Sequence, residues 1–311
     1  MKIINNYDGS SIDIINEDLR KNEAVLSLRK EKDSYSHYYN FRVENDLNKV
    51  GTVFIKNITK SAYYCPDQEH APYIKETDKE WKRLDSEEWK IANDTLKINN
   101  KIKNNPNIHI EEKILPQIEI GDKENPTIIV IGRQHPGETL SSFFIEGMIE
   151  EIIENKLKYH FLIYPIVNQE GVKNGNHRYF NETDYNRSWN KQDAPQEIKY
   201  IREIVKKTKP EYFIDVHNDE ISSKDYVTMK SNITEIGGIQ VLKPRSTIKR
   251  FIRAIIKQHK IINPRLKTAR EYIQQEYNCK SILIELSMNE EYTKAKNKGK
   301  KFIIDLLKER N

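Results

Sequence analysis

Two kinds of hydrophobic pattern divide the chain. Up to about residue 105, short segments either alternate apolar and polar positions or are rich in β-forming residues, and polar turns separate them. The segments are AVLSLRK, YYNFRVEN, GTVFIKNI and TLKINN. Such a pattern is typical of strands with one buried face. It predicts a small antiparallel β-sandwich domain over residues 1–105.

From Thr127 onwards, unbroken apolar runs alternate with amphipathic stretches. The runs are TIIVIG, YHFLIYPIV, EYFIDVH and SILIELS. Strands without polar alternation are buried on both faces, which is typical of parallel sheets covered by helices. Helices are expected at about Leu140–Lys156, Pro195–Lys207, Ile248–Lys260 and Thr293–Glu309. The pattern predicts an α/β domain over residues 106–311, with a mixed, mostly parallel central sheet flanked by helices.

Composition and charge exclude several classes of partner. The net charge of +5 is small beside 52 basic and 47 acidic side chains, so we expect no nucleic-acid partner. No apolar run approaches the roughly 18 residues that span a membrane, and the N-terminal residues lack the apolar segment of a secretory signal. Cys65 and Cys279 are far apart and suit a reducing compartment. We expect a cytoplasmic protein without membrane partners, and its oligomeric state is unknown.

Polar side chains stand at the ends of the four predicted parallel strands. His135 and Asn168 follow the first two strands, His217 ends the third, and Glu285 lies near the end of the fourth. In open sheets of this kind, ligands bind outside the carboxyl ends of the strands. We therefore expect these four residues to meet in one site.

Three of the residues in this region form the donor set of a catalytic metal site. His135 and Glu138 are three positions apart, where a helix is predicted to begin at Pro136 or soon after, and His217 comes from a distant strand. Two His and one Glu leave the fourth position of a tetrahedral zinc ion open for water. Each residue alone has a simpler explanation, such as a Glu favoured by the helix dipole. Together they predict one Zn²⁺ per chain.

Several segments resemble the M14 zinc metallocarboxypeptidases, and most closely the cytosolic type. They are RQHPGET, PIVNQEGVKNGNHR, DYNRSWN, IDVHNDE and LIELSMN, so the resemblance runs roughly from Ile128 to the C-terminus. YYNFRVEN and YYCPDQEHAPYIKETDKEWKRL resemble the β-sandwich that precedes the catalytic domain in that subgroup. The resemblance implies an enzyme that uses zinc to hydrolyse the C-terminal peptide bond of peptides or protein tails.

The resemblance also assigns roles to individual residues. It implies that His135, Glu138 and His217 bind zinc and that Glu285 is the general base. In the same way, Arg178 polarises the scissile carbonyl and stabilises the oxyanion. Asn186 and Arg187 correspond to the pair that grips the terminal carboxylate of the substrate. Asp184 corresponds to a residue that orients a zinc histidine, and Asp215 is a second candidate for such a role.

The cytosolic type often takes acidic C-terminal residues, which would need a basic pocket. The candidate side chains are Lys224, Lys230, Arg245, Arg265 and Arg270. The chain departs from the family pattern at Asn218, where Gly usually follows the zinc histidine, and at Gln169 and Glu170, where Pro and Asp are usual. Two other functions stay open: an amidohydrolase acting on small N-acyl amino acids or peptidoglycan stem peptides, and a non-catalytic peptide-binding module.

Overall fold

The structure is a computed structural model. It describes residues 2–5, 12–28, 41–44, 51–56, 73–74, 82–83, 89–92, 95–100, 115, 117–155, 157–219, 222–242, 266–277, 279–287 and 290–308. Contacts group Met1–Glu111 with Gln169–Glu182 in a first unit, and Glu112–Asn168 with Thr183–Asn311 in a second. The predicted domain boundary at residue 105 lies outside the described residues. Of the helices in these ranges, none combines the length and apolar character needed to cross a membrane.

The N-terminal part of the first unit is made of short strands. They are β1 (Lys2–Ile4), β2 (Ile12–Asp18), β3 (Glu23–Leu28), β4 (Arg42–Glu44), β5 (Gly51–Lys56), β6 (Tyr73–Ile74), β7 (Lys82–Arg83), β8 (Trp89–Ala92) and β9 (Thr95–Asn100). A five-stranded sheet has the order β2-β3-β5-β9-β8, and β1-β4 and β6-β7 form two-stranded sheets. All pairs are antiparallel except β3 with β5. Ala24, Leu26, Val53 and Ile55 are buried, as the alternating pattern predicts.

The remaining elements follow from residue 118 onwards. They are β10 (Ile118–Ile120), β11 (Thr127–Gly132), α1 (Leu140–Asn155), β12 (His160–Tyr164), α2 (Gln169–Lys173), β13 (Tyr179–Phe180), β14 (Thr183–Asp184), a 3-10 turn (Tyr185–Arg187), α3 (Gln196–Thr208), β15 (Tyr212–Asp219), β16 (Tyr226–Thr228), β17 (Glu235–Ile236), β18 (Ile239–Leu242), α4 (Ala269–Tyr277), β19 (Lys280–Ser287) and α5 (Tyr292–Lys308). Of these, α2 and β13 belong to the first unit.

The second unit contains an eight-stranded mixed sheet with the order β10-β12-β11-β15-β19-β16-β18-β17. The central strands β12, β11, β15 and β19 run parallel, β10 pairs antiparallel with β12, and β16 pairs antiparallel with β19 but parallel with β18. This arrangement confirms the predicted α/β class with a mostly parallel central sheet. Because the four central strands are parallel, their carboxyl ends lie at one edge, where the candidate site residues are found.

Helices cover the faces of this sheet. On one face, α1 and α5 pack on alternate residues of the parallel strands, including Val130 and Ile214. On the other face, α4 packs on β15 and β19, and the ring of Trp189 lies 5.8 Å from that of Phe213. All six residues of β11 are buried, which explains its continuous apolar run.

Some helix predictions differ from the structure. The helices α3 and α5 lie where the pattern predicts them, within one residue at each described end. The helix predicted over Ile248–Lys260 lies outside the described residues. Helix α1 begins at Leu140, as the apolar pattern predicts, and not at the alternative start close to Pro136, because backbone hydrogen bonds of the preceding residues close separate turns.

Candidate metal centre

The loop between β11 and α1 carries two of the predicted metal ligands. The chain leaves β11 through Arg133, whose φ of 54° is left-handed. The guanidinium of Arg133 then crosses the loop, where Nε donates to the Pro136 carbonyl at 2.7 Å and Nη1 to Ser142 Oγ at 3.2 Å. The Glu138 N–H bonds the His135 carbonyl at 3.2 Å. A fixed turn, and not the first turn of the helix, therefore brings these two side chains together.

His135, Glu138 and His217 converge on one point in the second unit. The Nδ1 atom of His135 lies 2.5 Å from Oε1 of Glu138, and Nδ1 of His217 lies 2.7 Å from Oε2. One ligand atom from each residue can be chosen so that all three lie within 4.8 Å of one another. All three residues are buried. Within the described ranges, no other group of three His, Cys, Asp or Glu meets this condition.

A carboxylate stands behind each imidazole. Nε2 of His135 lies 3.2 Å from Oδ1 of Asp184, and Nε2 of His217 lies 3.0 Å from Oδ1 of Asp215. Both histidines thus turn Nδ1 towards Glu138 and Nε2 towards an aspartate. A carboxylate in this position fixes the ring orientation and makes the other nitrogen a better metal donor.

Charges within the cluster shift the pKa values of its members. Burial would raise the pKa of Glu138, but the charges of His135 and His217 hold it well below its usual value. Burial would lower the pKa of His217, but Asp215 and Glu138 hold it well above its usual value. The cluster therefore favours a carboxylate and a protonated imidazole. A metal that binds at Nδ1 of His217 must displace a proton.

Glu285 lies directly beside His217. Its position on β19 is the register partner of His217 on β15, so the two side chains project from the same face of the sheet. Its neighbours Ile284 and Leu286 point into the core on the other face. Burial raises the pKa of Glu285 to about 8. The nearby carboxylates of Glu138, Asp219 and Asp215 act in the same direction, and the charge of His217 opposes them.

The predicted substrate-binding residues Asn186 and Arg187 belong to the second unit, and Arg178, predicted to stabilise the oxyanion, belongs to the first. Asn186 is buried, its Oδ1 accepts the Ala269 N–H at 2.9 Å, and its Nδ2 lies 3.1 Å from Nε2 of His217. Arg187 is partly exposed, and its Nη1 donates to the Asn186 carbonyl at 2.8 Å. Arg178 belongs to Gln169–Glu182 in the first unit, so its role at the centre stays a prediction.

Three further side chains in this region have contacts that the sequence did not predict. Gln134 is fully buried and bonds Asp215 and Trp189. Asn168, in the connection between β12 and α2, donates to the Gln134 carbonyl at 3.4 Å. Asn218 accepts the Ser141 N–H at 3.2 Å, and its φ is not left-handed. The backbone beside His217 therefore does not require the glycine that is usual there.

Comparisons with known proteins agree with the fold. The family model of the cytosolic carboxypeptidase N-terminal domain matches residues 3–109. Cytosolic carboxypeptidase 1 of Mus musculus is 37% identical over 75 residues, which is 22% of this chain. That alignment covers 6% of the mouse protein, so the chain matches a small part of this curated relative.

Solved structures resemble the whole chain. A metallo-carboxypeptidase from Burkholderia cenocepacia has a TM-score of 0.71 and 18% identity, with 98% of each chain covered. A metallo-carboxypeptidase from Pseudomonas aeruginosa, solved with (2-guanidinoethylmercapto)succinic acid, has a TM-score of 0.66 and 17% identity, also with 98% of each chain covered. These likenesses establish the fold. With the N-terminal match, they confirm that the chain resembles the M14 metallocarboxypeptidases of the cytosolic type.

Proposed function

We propose that this chain, a relative of the cytosolic carboxypeptidases, is a zinc-dependent carboxypeptidase that removes single residues from the C-terminus of peptides or protein tails. The observation that carries the proposal is the convergence of His135, Glu138 and His217 on one buried point, with Glu285 beside them on the neighbouring strand. The comparisons support the peptidase class. The identity of the metal, the catalytic activity and the substrate are what we propose.

The residues at this point fit a zinc ion. Two imidazole nitrogens and a carboxylate are the donors of open catalytic zinc sites. Both donor nitrogens are Nδ1 atoms, and both outward Nε2 atoms contact aspartates, which is the second-sphere arrangement common around zinc histidines. His135, Glu138 and His217 would hold the ion. Bound there, zinc would polarise the scissile carbonyl and acidify a water molecule.

Glu285 would move the proton during hydrolysis. Its carboxylate accepts a proton from the water that attacks the scissile carbonyl, and it returns this proton to the amine nitrogen of the departing residue. One C–O bond forms and one C–N bond breaks. Burial raises the pKa of Glu285 in the metal-free site, and the charge of a bound zinc ion would lower it again, so that the carboxylate can accept the proton and later release it.

Two arginines are proposed to act on the substrate through charge. Arg187 would bind the terminal carboxylate with its planar guanidinium, and Asn186, whose backbone carbonyl accepts from Arg187, would hold this arginine beside the centre. Arg178 is proposed to stabilise the developing oxyanion, a role that rests on the family resemblance. Recognition of a free terminal carboxylate is what would restrict the enzyme to C-terminal residues.

We also propose a preference for acidic C-terminal residues, with Arg270 as the specificity residue. Arg270 is buried in the first turn of α4, next to Ala269, whose N–H bonds Asn186. Of the other candidates, Lys224 and Lys230 are exposed, and Arg245 and Arg265 lie outside the described residues. Nη1 of Arg270 donates to Oε1 of Gln274 at 3.4 Å, and the guanidinium has further N–H groups that can pair with a second carboxylate on the substrate.

Cytoplasmic location is part of the proposal. Cys279 is a free and buried thiol, which suits a reducing compartment, and Cys65 lies outside the described residues.

Mass spectrometry of peptides that differ only at their last residue tests the function. Zinc-loaded protein should shorten peptides ending in Glu or Asp by one residue, and it should leave the same peptides with an amidated C-terminus intact. Glu285→Gln should lower kcat by about 10²- to 10⁴-fold. Glu203→Gln on the exposed face of α3, the same change of charge, should have no effect.

The outcomes also separate the alternatives. Cleavage of N-acyl amino acids or stem peptides without shortening of longer peptides would favour an amidohydrolase. Zinc-dependent peptide binding without turnover would favour a binding module. (2-Guanidinoethylmercapto)succinic acid, the compound present with the Pseudomonas aeruginosa structure, is expected to inhibit the cleavage.

A further inference from the structure

Gln134 is the buried centre of a polar network beside the candidate ligands. It directly precedes the ligand His135, yet its side chain contacts the strand of the other histidine ligand. Its Nε2 lies 2.8 Å from Oδ1 of Asp215 and 3.2 Å from Nε2 of His217. Its Oε1 lies 2.6 Å from Nε1 of Trp189. The exposed fraction of Gln134 is 0%, so water does not compete for these bonds.

The chemistry of the indole fixes the orientation of the amide. The N–H of Trp189 is a donor and cannot accept, so the oxygen of Gln134 must face it. The amide nitrogen of Gln134 is then directed at Asp215 and can donate to this carboxylate. Trp189 is itself fully buried and contacts the ring of Phe213 on β15. The directions of the Trp189–Gln134 and Gln134–Asp215 bonds are therefore determined.

Asp215 passes this orientation on to His217. Its Oδ1 accepts from Gln134 and lies 3.0 Å from Nε2 of His217, whereas its buried Oδ2 has no hydrogen-bond partner among the described residues. The donor from Gln134 therefore selects which oxygen of Asp215 faces the imidazole. When Nδ1 of His217 serves as a ligand, its Nε2 carries the proton and donates it to that oxygen.

We propose that Gln134 is a positioning residue for the metal ligand His217. The Trp189 indole orients the Gln134 amide, this amide orients the Asp215 carboxylate, and the carboxylate holds the His217 ring with Nδ1 turned to the ion. The inference rests on the proposed metal site. Loss of a partner outside the ligand sphere commonly weakens metal binding by about 10- to 100-fold, and we expect a loss of this size when Gln134 can no longer donate.

Two substitutions at Gln134 distinguish its role as a hydrogen-bond donor from its role in packing. Gln134→Met keeps the length and removes both the donor and the acceptor. Gln134→Glu keeps an acceptor for Trp189 but replaces the donor with an oxygen that faces Asp215, so it is expected to weaken zinc binding at least as much. Gln117→Met is the matched control, because Gln117 precedes the edge strand β10 and accepts bonds from Tyr164 and Tyr200.

Chelator competition on the metal-free full-length chain measures the Kd for zinc, and the visible spectrum of the cobalt-loaded protein reports the ligand geometry. We expect both Gln134 variants to raise the Kd by about 10- to 100-fold and to change the cobalt spectrum. Gln117→Met should lower the Tm but leave the Kd and the spectrum unchanged. In a Trp189→Phe background, Gln134→Met should raise the Kd less than it does in the parent. The reason is that Trp189 acts on the metal site through Gln134.

Three results would overturn the inference. If the parent and Gln117→Met bind zinc and both Gln134 variants bind it equally well, the positioning role is wrong and the metal site stands. If Gln117→Met raises the Kd as much as Gln134→Met, the effect is one of general stability. If the parent binds no zinc, the proposed function fails and the inference fails with it.

Discussion

His217 and Glu285 are register partners on the neighbouring parallel strands β15 and β19. A candidate metal ligand and a candidate base are thus held side by side by backbone hydrogen bonds of the sheet. Their separation is set by the strand spacing of about 4.8 Å, not by the conformation of a loop. This rigidity is what a proton-transfer step requires, because the base must stay within hydrogen-bond reach of the reacting water.

The raised pKa of Glu285 predicts that ionisation of this carboxyl lowers the stability of the metal-free protein as pH rises. Between about pH 4.5 and pH 8 the unfolded chain has released this proton and the folded chain retains it, so the free energy of unfolding falls as pH rises. The Glu285→Gln variant cannot ionise at this position, so it lacks this pH-dependent loss of stability. We expect the metal-free variant to gain stability over the parent as pH rises through this range, by up to about 1.4 kcal/mol per pH unit.

Thermal unfolding of both proteins in chelator, from pH 4.5 to 8.5, measures this difference. The other titrating groups largely cancel in the comparison. A difference in Tm that stays constant over the range would contradict the raised pKa of Glu285.

Zinc should stabilise the folded chain through His135, Glu138 and His217. Zinc at 100 times its Kd is expected to add about 2.7 kcal/mol to the free energy of unfolding, which scanning calorimetry detects as a rise in Tm. His217→Ala should abolish the rise. The control is His160→Gln, because His160 lies at the start of β12 and its Nε2 contacts Glu119. That variant should be less stable but should still show the rise in Tm with zinc. Absence of the rise in this variant would contradict the assignment of the ligands.

Asn218 is expected to stabilise the start of α1. Its Oδ1 accepts the N–H of Ser141 in the first turn of the helix, so Asn218→Ala should cost about 1 kcal/mol. Asn218→Gly should cost about 0.5–1 kcal/mol more because of the added freedom of the unfolded backbone. Chemical denaturation of the three proteins tests the order. A glycine variant as stable as the parent would indicate that the backbone prefers glycine at this position.

Gly147 and Gly299 allow α1 and α5 to touch along their backbones. A Cβ atom at Gly147 would lie 2.0 Å from the carbonyl oxygen of Lys296, and one at Gly299 would lie 2.0 Å from that of Phe144. Either alanine substitution must push the helices apart, at a cost of about 3 kcal/mol. Asn297→Ala on the exposed face of α5 is the control and should be neutral or stabilising. Equal stability of all three variants in denaturant titrations would refute the close crossing.

The apolar pattern predicts the central sheet well because its strands are buried on both faces. The same rule places His135, His217 and Glu285 at one edge. By contrast, β16, β17 and β18 are two to four residues long and their segment mixes polar and apolar positions, so no period indicates them. Helix α4 is also short and buries only a narrow stripe of side chains, including Ala269 and Ile273. Its start depends on Asn186, which is distant in sequence.

The role that we propose for Gln134 could not be predicted from the sequence. A glutamine between Arg133 and His135 belongs to no periodic apolar pattern, and it does not stand at a spacing typical of metal ligands. Its importance depends on Trp189 and Asp215, which the fold brings to it from 55 and 81 positions away. Similarly, the resemblance implies that Asp184 orients a zinc histidine, but which histidine it contacts, His135, depends on the tertiary structure.

The most direct test of the central claim is to titrate the metal-free protein with zinc. The release of the C-terminal residue from a peptide is measured at each zinc concentration. We predict that the rate rises in proportion to added zinc and levels off at one ion per chain. Glu285→Gln should bind the same single ion and release almost nothing. A rate that does not depend on zinc, or a Glu285→Gln protein as active as the parent, would contradict the account.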